Sequence, residues 1–360
     1  MELTTFWFIL IGVLWTGYFV LEGFDFGVGL LLPVLGGRRL SRDAADAEKR
    51  RRVLLNTIGP VWDGNEVWVI TAAGATFAAF PNWYATMFSG FYLPLLLVLV
   101  ALIVRNLGFD YRHKRPEAQW KARWDLAIFC GSLVPAFVWG LLLTNIVRGV
   151  PIDADMEFTG DVLSLLDPTA LLGGLAFTAL FVTHGAIFLA LKTDGPVRAQ
   201  ARTVAAVAGV AAAGLAVALL AVLGSAHGKP VTWVTSGAAA LALVTALAAN
   251  RVGREGRAFI GTAAAIGLTV ATYFVMLFPD VMPSTSNPAW SLTTENAAST
   301  EYTLTVMTWV AVVFTPVVLL YQGWTYWVFR KRLTTRHIPD DVAPATPAGD
   351  ATGVTGPVRT

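Results

Sequence analysis

Residues 6–35 read FWFILIGVLWTGYFVLEGFDFGVGLLLPVL, an apolar run in which only Glu22 and Asp25 carry a charge. A bilayer core of about 30 Å is crossed by about 20 mostly apolar helical residues, so this run is long enough to span a membrane. No basic residue precedes it, and it is longer than the apolar core of a cleavable signal peptide. We therefore interpret it as a retained transmembrane helix.

The composition of the whole chain has the same character. Of its 360 residues, 55% are hydrophobic and 14% are charged, and the mean hydropathy is +0.60. A soluble globular protein carries about 25% charged residues, so lipid must replace water around much of this surface. The single cysteine, Cys130, excludes an internal disulfide framework and any metal site built from several cysteines. The composition predicts an all-α, polytopic membrane protein.

Nine stretches are long and apolar enough to cross a bilayer, and they predict a nine-helix transmembrane domain over residues 1–337. The second and third are separated only by Pro81 and Asn82, where proline favours a break between two helices. Residues 338–360 are rich in Pro, Ala, Thr and Gly and predict a disordered cytoplasmic tail. The predicted spans are residues 6–35, 57–80, 83–105, 124–147, 167–191, 203–225, 231–250, 258–279 and 305–329.

The basic residues predict the orientation of these spans. Lysine and arginine concentrate in cytoplasmic loops, and with nine spans 24 of the 26 basic residues fall on one side. Arg105 is counted there, in the loop after the third span, and only Arg148 and Lys229 fall on the other side. This pattern places the N-terminus outside and the C-terminus in the cytoplasm.

Four carboxyl groups on the first two spans require an explanation, because an ionisable group at the bilayer centre costs about 2.5–3.5 kcal/mol. Glu22 and Asp25 are three residues apart and share one helical face. Asp63 and Glu66 have the same spacing, and a span that begins at residue 57 places Asp63 about six residues, or roughly 9 Å, inside. Such a graded series suits a route for proton uptake or a cation site.

Structural roles remain open for both pairs. Asp63 and Glu66 can lie at headgroup level and complement the dipole of a first helical turn. Glu22 and Asp25 can be hydrogen-bonded groups at a helix crossing, where the glycines at 23, 27 and 29 allow close approach. Of the four histidines only His184 is predicted within the membrane, so this chain cannot hold several haems with paired axial ligands.

Two sequence motifs identify a family resemblance. Residues 17–29 (GYFVLEGFDFGVG) and 56–68 (NTIGPVWDGNEVW) closely resemble subunit II of cytochrome bd quinol oxidases. Further matches follow at residues 77–81 (FAAFP), 108–112 (GFDYR) and 307–310 (MTWV), with Tyr321 and Trp327 downstream. The resemblance extends from residue 6 to about 330, and the joint occurrence of the first two motifs is highly specific.

The resemblance implies a bacterial cell-membrane subunit of a respiratory complex that oxidises quinol and reduces dioxygen to water. The haems, two of type b and one of type d, are then expected in subunit I, the heterodimer partner. The quinol pool, a structural quinone in this subunit and small accessory subunits are further expectations, whereas nucleic acid is not. Asp63 matches an aspartate proposed for proton transfer at the subunit interface. Glu66, Asp25 and Glu22 are further proton-path candidates, and Trp62 and Asn65 are expected to position them.

Two rival interpretations come from other functional classes. A secondary transporter would use the intramembrane carboxylates to bind a coupling ion, although no internal repeat is evident. A purely structural or assembly subunit would have no role in proton transfer. No catalytic residue and no metal ligand is predicted on this chain.

Overall fold

The computed structural model describes residues 2–339, and within this range the chain forms eleven α-helices, with long connections only at residues 149–167 and 278–300. The predicted tail lies outside the described residues from 340 onward, whereas Ile338 is buried. The helices are α1 (Leu3–Leu35), α2 (Ala44–Ile58), α3 (Trp62–Ala79), α4 (Pro81–Gly90), α5 (Tyr92–Tyr111), α6 (Ala118–Arg148), α7 (Pro168–Lys192), α8 (Gly195–His227), α9 (Pro230–Arg251), α10 (Glu255–Leu277) and α11 (Glu301–Val328).

Eight of the helices in the described range are long and apolar enough to cross a membrane, namely α1 and α5 to α11. The protein is therefore a polytopic membrane protein. Helix α3 has 18 residues, or about 27 Å at 1.5 Å per residue. Its first two turns carry Asp63, Asn65 and Glu66, which make this end of the helix polar.

The second predicted span begins too early. Residues 57 and 58 belong to α2, and the chain turns at residues 59–61 before α3 begins at Trp62. Pro60 lacks the N–H that a continuous helix would need, which favours this break. Asp63 therefore lies in the first turn of α3, not six residues inside a helix.

The third predicted span also has different bounds. The break at Pro81 is confirmed, but the following stretch is divided at Phe91 into α4 and α5. Helix α5 then continues to Tyr111, six residues beyond the predicted end at 105. Arg105 consequently lies inside a helix instead of a loop.

Helix α2 occupies the basic segment that was predicted as a loop. Its N-terminus is capped by Asp43, whose carboxylate accepts a hydrogen bond from the backbone N–H of Asp46 at 2.8 Å. One face, including Val53 and Leu54, is buried against the bundle. Arg50 donates hydrogen bonds to Asp46 at 2.9 Å and to Gln200 on α8 at 2.6 Å. These contacts dock α2 across one end of the bundle.

Helix α1 is the central helix, and it packs on α3, α6, α7 and α10. The expected close approach at its glycines is confirmed. A Cβ added to Gly27 would lie 2.8 Å from the Cα of Gly185 on α7, and one added to Gly29 would collide with Ser132 on α6. Larger side chains at these positions would separate the helices and rotate Glu22 and Asp25 away from their partners.

The loops at the end remote from α2 pack on one another. A short antiparallel pair, β1 (Asp280–Met282) and β2 (Leu292–Thr293), lies in the connection between α10 and α11. Ser284 from this connection donates a hydrogen bond to the carbonyl of Ile152 at 2.8 Å, which joins it to the loop between α6 and α7. These contacts cap the bundle and position the start of α11.

Helix α11 is held mainly near its two ends. Trp7 on α1 donates hydrogen bonds to the carbonyl of Leu304 at 3.2 Å and to Thr308 at 3.0 Å. At the other end, the C-terminal strap (residues 329–338) pairs with the turn between α7 and α8 through the backbone of Leu333, whose N–H donates to the carbonyl of Lys192 at 2.8 Å. The apolar stretch of α11 is only 6% buried, the lowest value among the eight apolar helices.

Candidate functional site

A buried group of polar side chains joins α1, α3 and α5, and we call it the intramembrane cluster: Glu22, Asp25, Asn65, Glu66, Arg105 and Asn106. Glu22, Asp25 and Arg105 have no exposed surface. The guanidinium of Arg105 donates a hydrogen bond to Glu22 and forms an ion pair with it. A charge this deep is expensive unless it is paired, so the pair explains how both groups are tolerated.

Aromatic rings hold Arg105 in place. Its guanidinium lies 5.0 Å from the ring centroid of Phe26 and 5.0 Å from that of Phe109, within the range of cation–π attraction. Trp62 packs on Phe109 with centroids 5.3 Å apart. Trp62 therefore supports the cluster indirectly, through Phe109. The sequence interpretation missed Arg105 because it ends an apolar run and was assigned to a basic loop.

Asp25 is bound by Asn65, which lies on the neighbouring helix α3. The Asn65 amide nitrogen donates to an Asp25 carboxylate oxygen at 2.7 Å. The Asn65 amide oxygen accepts hydrogen bonds from Tyr326 at 2.7 Å and from Gln322 at 3.1 Å. Trp68 in turn donates to Gln322 at 3.1 Å. The structure thus brings Asn65 to Asp25, and α11 supplies two partners that no local sequence pattern indicated.

The two carboxyl groups of α3 occupy different environments. Glu66 is partly buried and accepts a hydrogen bond from Asn106 on α5 at 2.6 Å. Asp63 lies three residues earlier and is exposed. It is outside the buried cluster, on the same face of α3 as Val67, Ile70 and Phe77. Asp63 therefore lies where the cluster approaches the protein surface.

Several polar atoms of the intramembrane cluster have no hydrogen-bond partner within the described residues. They are Glu22 Oε2, Asp25 Oδ1, Arg105 Nε and Nη2, and Asn106 Oδ1. Each buried polar group left without a partner costs about 1–3 kcal/mol. Such groups are rare in native proteins and often have a functional explanation. The cluster thus retains carboxylate acceptors and guanidinium donors that are not used within the described residues.

His184 does not fit the role of a haem ligand. Its Nδ1 lies 2.7 Å from the hydroxyl of Thr262, and its Nε2 lies 3.1 Å from the carbonyl oxygen of Val20. The imidazole also stacks on Phe259 with centroids 4.6 Å apart. Both ring nitrogens are therefore engaged within the bundle. Among residues 2–339, no group of three or more His, Cys, Asp or Glu side chains is arranged to hold a metal ion.

A second polar group, the α2 cluster, lies at the end of the bundle covered by α2 and comprises Glu48, Arg51, Arg112, Lys121 and Asp125. Arg112 donates to both oxygens of Glu48, at 2.9 and 2.8 Å, and to Asp125 at 2.5 and 3.3 Å. Burial disfavours ionisation of Glu48, but the hydrogen bonds and charges of Arg112 and Lys121 outweigh it and lower the pKa of this carboxyl. The same contacts raise the pKa of Arg112. Arg112 therefore joins Glu48 on α2 to Asp125 on α6 through charged hydrogen bonds.

Comparison with known proteins gives consistent matches over nearly the whole chain. The sequence model of the family described as cytochrome bd terminal oxidase subunit II matches residues 3–329. The chain is 44% identical over 333 residues to cytochrome bd ubiquinol oxidase subunit 2 of Bacillus subtilis, covering 91% of this chain and 96% of the relative. It is 37% identical over 371 residues to cytochrome bd-I ubiquinol oxidase subunit 2 of Escherichia coli K12, with 92% and 95% covered.

A solved structure shows a similar fold. A chain from the structure of the bd oxidase of Geobacillus thermodenitrificans matches with a TM-score of 0.74 and 18% identity. The match covers 92% of this chain and 100% of that chain. At this identity the likeness concerns the fold alone.

Proposed function

Because this chain belongs to the subunit II family of cytochrome bd terminal oxidases, we propose that it stabilises the haem-bearing subunit and provides a cytoplasmic path for protons. The family makes it a subunit of an oxidoreductase complex and a multi-pass protein of the bacterial cytoplasmic membrane, with a subunit I as its partner. The proposed reaction of the complex is quinol oxidation coupled to reduction of dioxygen to water. Because the family is that of an oxidase subunit, we do not propose a transporter function.

The proposed topology has nine spans: the eight apolar helices and, in addition, α3. Its 18 residues nearly match a bilayer core of about 30 Å. We place α2 and the C-terminal strap in the cytoplasm, because the basic residues concentrate there, and the N-terminus outside. Labelling of single cysteines in cells before and after permeabilisation tests this orientation. A cysteine that replaces Arg42 should react only after permeabilisation.

The docking face for subunit I is proposed to comprise α3, α5 and α11. Helix α11 is almost unburied, and α3 exposes Ile70 and Phe77 on one face. Asp63 lies at the end of that face, where a protein partner would accept its charge better than lipid. This position would bring Asp63 to the subunit interface.

Site-directed cross-linking tests this face. The native cysteine is first removed by Cys130→Ser. A cysteine-reactive photocrosslinker attached at Ile70→Cys should then cross-link to subunit I. Val234 on α9 is a matched control, because both side chains are 70% exposed. Cross-linking of subunit I from Val234 and not from Ile70 would place the partner on the opposite side of the bundle.

The proton path is proposed to run from Asp63 to the intramembrane cluster. Asp63 and Glu66 are three residues apart on α3, so they lie about one helical turn from each other. Beyond Glu66, the guanidinium of Arg105 is paired with Glu22, which lies about one helical turn from Asp25 on α1. The oxygens of Glu22 and Asp25 that lack a partner in the described range are the positions proposed to hold protons. The observation that carries this proposal is the exposed Asp63 beside a buried cluster with unused acceptors.

Replacement of Asp63 tests the path. We expect Asp63→Asn to lower oxygen consumption by the purified complex severalfold while haem content and assembly stay normal. Glu117→Gln is the matched control, because Glu117 is also exposed at this end of the bundle but lies outside the cluster. A variant with normal turnover and a small loss of stability would instead assign Asp63 to the dipole of α3, an interaction worth about 0.3–1 kcal/mol.

The haems are proposed to reside in the partner, since His184 is closed to an axial role. For a structural quinone, the groove of about 500 Å³ between α3, α4 and α5 offers apolar and aromatic walls that include Trp15, Phe88 and Trp139. Such a lining suits an isoprenoid chain. Solvent extraction of the purified complex, with and without Phe88→Ala, tests this expectation through the amount of quinone recovered.

A further inference from the structure

A groove opens at the end of the bundle covered by α2, between the last turn of α1 and the first turns of α6. Its volume is about 420 Å³. Leu32, Pro33, Ala122, Leu126 and Phe129 form its apolar walls. Leu126 is 61% exposed, so the groove faces outward from the bundle. Apolar side chains that face outward at the end of a membrane span meet the acyl region of the bilayer.

Arg51 on α2 lies at the polar end of this groove. A Cβ added to Gly36 would lie 2.5 Å from the Cγ of Arg51, so glycine allows the arginine stem to pack against the end of α1. The nearest carboxylate oxygens are 3.6 Å away on Asp125 and 4.0 Å away on Glu48. These distances exceed hydrogen-bond length, and the guanidinium can still donate to another acceptor.

Asp125 also lines the groove, so its negative charge must be considered. Both of its carboxylate oxygens accept hydrogen bonds from Arg112, at 2.5 and 3.3 Å. Glu48 is bound by Arg112 and lies 3.3 Å from Lys121. The α2 cluster thus contains three cationic and two anionic groups, and its excess positive charge favours an anion.

We propose that this groove binds an anionic phospholipid of the leaflet on the side of α2. The phosphate accepts hydrogen bonds from Arg51, and one acyl chain lies along Pro33, Leu126 and Phe129. Basic pockets between transmembrane helices at headgroup level are suited to such lipids. The groove joins one guanidinium to an apolar channel, so it matches an amphiphile better than a soluble anion.

Lipid retention by the intact complex tests the proposal. The complex is reconstituted in nanodiscs that contain phosphatidylglycerol and phosphatidylethanolamine, transferred to detergent and examined by native mass spectrometry. We expect Arg51→Gln to weaken retention of one phosphatidylglycerol molecule about fivefold, as expected for loss of one basic group near an anionic headgroup. Arg42→Gln is the matched control, because it removes the same charge from an exposed residue outside the groove.

A second variant keeps the charge of Arg51 and fills the apolar part of the groove. Ala122 is exposed and lines the groove, so Ala122→Trp should block the acyl chain without disturbing the core. It should lose the same lipid as Arg51→Gln. Equal retention by Arg51→Gln and Arg42→Gln, or replacement of the bound lipid by phosphatidylethanolamine with equal affinity, would overturn the proposal. Displacement by inorganic phosphate alone would assign Arg51 to a soluble anion. None of these readouts depends on turnover, so the result is independent of the proposed proton path.

Discussion

The intramembrane cluster and the α2 cluster are each built around one buried arginine, but they satisfy it differently. Arg112 forms four hydrogen bonds with two carboxylates, whereas Arg105 donates to one carboxylate and is enclosed by aromatic rings. The carboxylates bound to Arg112 are fully paired, while Glu22 and Asp25 each keep an oxygen without a partner among the described residues. The first arrangement joins three helices, because Arg112 follows the end of α5 and its carboxylate partners lie on α2 and α6. The second leaves carboxylate oxygens without a hydrogen-bond partner in this part of the chain, at a cost in stability, and these are the groups proposed to hold protons.

The largest expected effect follows from removing the guanidinium of the intramembrane cluster. Arg105→Leu leaves Glu22 buried without its ion-pair partner, which typically costs about 3–5 kcal/mol. We expect little assembled complex, as measured by the yield of haem-bearing complex after purification. The double variant Arg105→Leu, Glu22→Leu removes both charges and should recover assembly but not full oxygen consumption. Full turnover in the double variant would show that this pair serves only the fold.

Removal of the corresponding arginine from the α2 cluster should have a smaller effect. The carboxylates of Glu48 and Asp125 are 16% and 15% exposed, so water can replace the lost hydrogen bonds, whereas Glu22 has no exposed surface. Arg112→Gln should therefore lower the thermal unfolding temperature of the complex, while turnover per assembled complex stays normal. A specific loss of turnover at unchanged stability would remove the distinction between the two clusters.

A milder change examines how α11 supports Asp25 through Asn65. Tyr326→Phe removes one hydrogen bond to the Asn65 amide oxygen, and we expect a loss of about 1 kcal/mol. Gln322 still donates to the same oxygen, so assembly should persist. Tyr321→Phe is the control, because Tyr321 lies on the same helix and is 66% exposed. The thermal unfolding temperature should fall for Tyr326→Phe and stay unchanged for Tyr321→Phe.

The smallest expected effect concerns acid. The pKa of Glu48 is lowered in the folded protein, so its contribution to stability is present above the ordinary carboxyl value of 4.5 and is lost as the pH falls through the lower folded value. The α2 cluster should therefore weaken only below about pH 4.5. Glu48→Gln should reduce this acid dependence in thermal unfolding scans. An unchanged acid dependence would mean that other carboxyl groups dominate it.

The sequence predicted long helices well because apolarity and length are local properties. It predicted Asp25 and Asn65 as site residues, and the structure brings them together at 2.7 Å. It assigned Arg105 to a loop, because an arginine at the end of an apolar run looks the same whether it faces water or a buried carboxylate. The span predicted from hydropathy began at residue 57 and placed Asp63 six residues inside it. The turn at residues 59–61 was not predicted, and Asp63 lies in the first turn of α3.

Other parts of the site depend on contacts that are distant in sequence. Gln322 and Tyr326 are more than 250 residues from Asn65, and no periodicity links them. Helix α2 was not predicted, because its apolar face is short. Asp43 as the N-cap and Asp46 in the first turn are nevertheless typical of the start of a helix. The docking of α2 on the bundle, with Arg50 bound to α8, decides its conformation.

The connection of α11 to Asn65 has a consequence for biosynthesis. A ribosome delivers α1 and α3 to the membrane long before α11, so two of the groups that complete the surroundings of Asp25 and Asn65 are still untranslated when these helices emerge. The polar centre of the bundle is finished only by the final helix of the described chain. The site is therefore completed only late in synthesis, and a nascent chain that stops before Gln322 carries an unfinished centre.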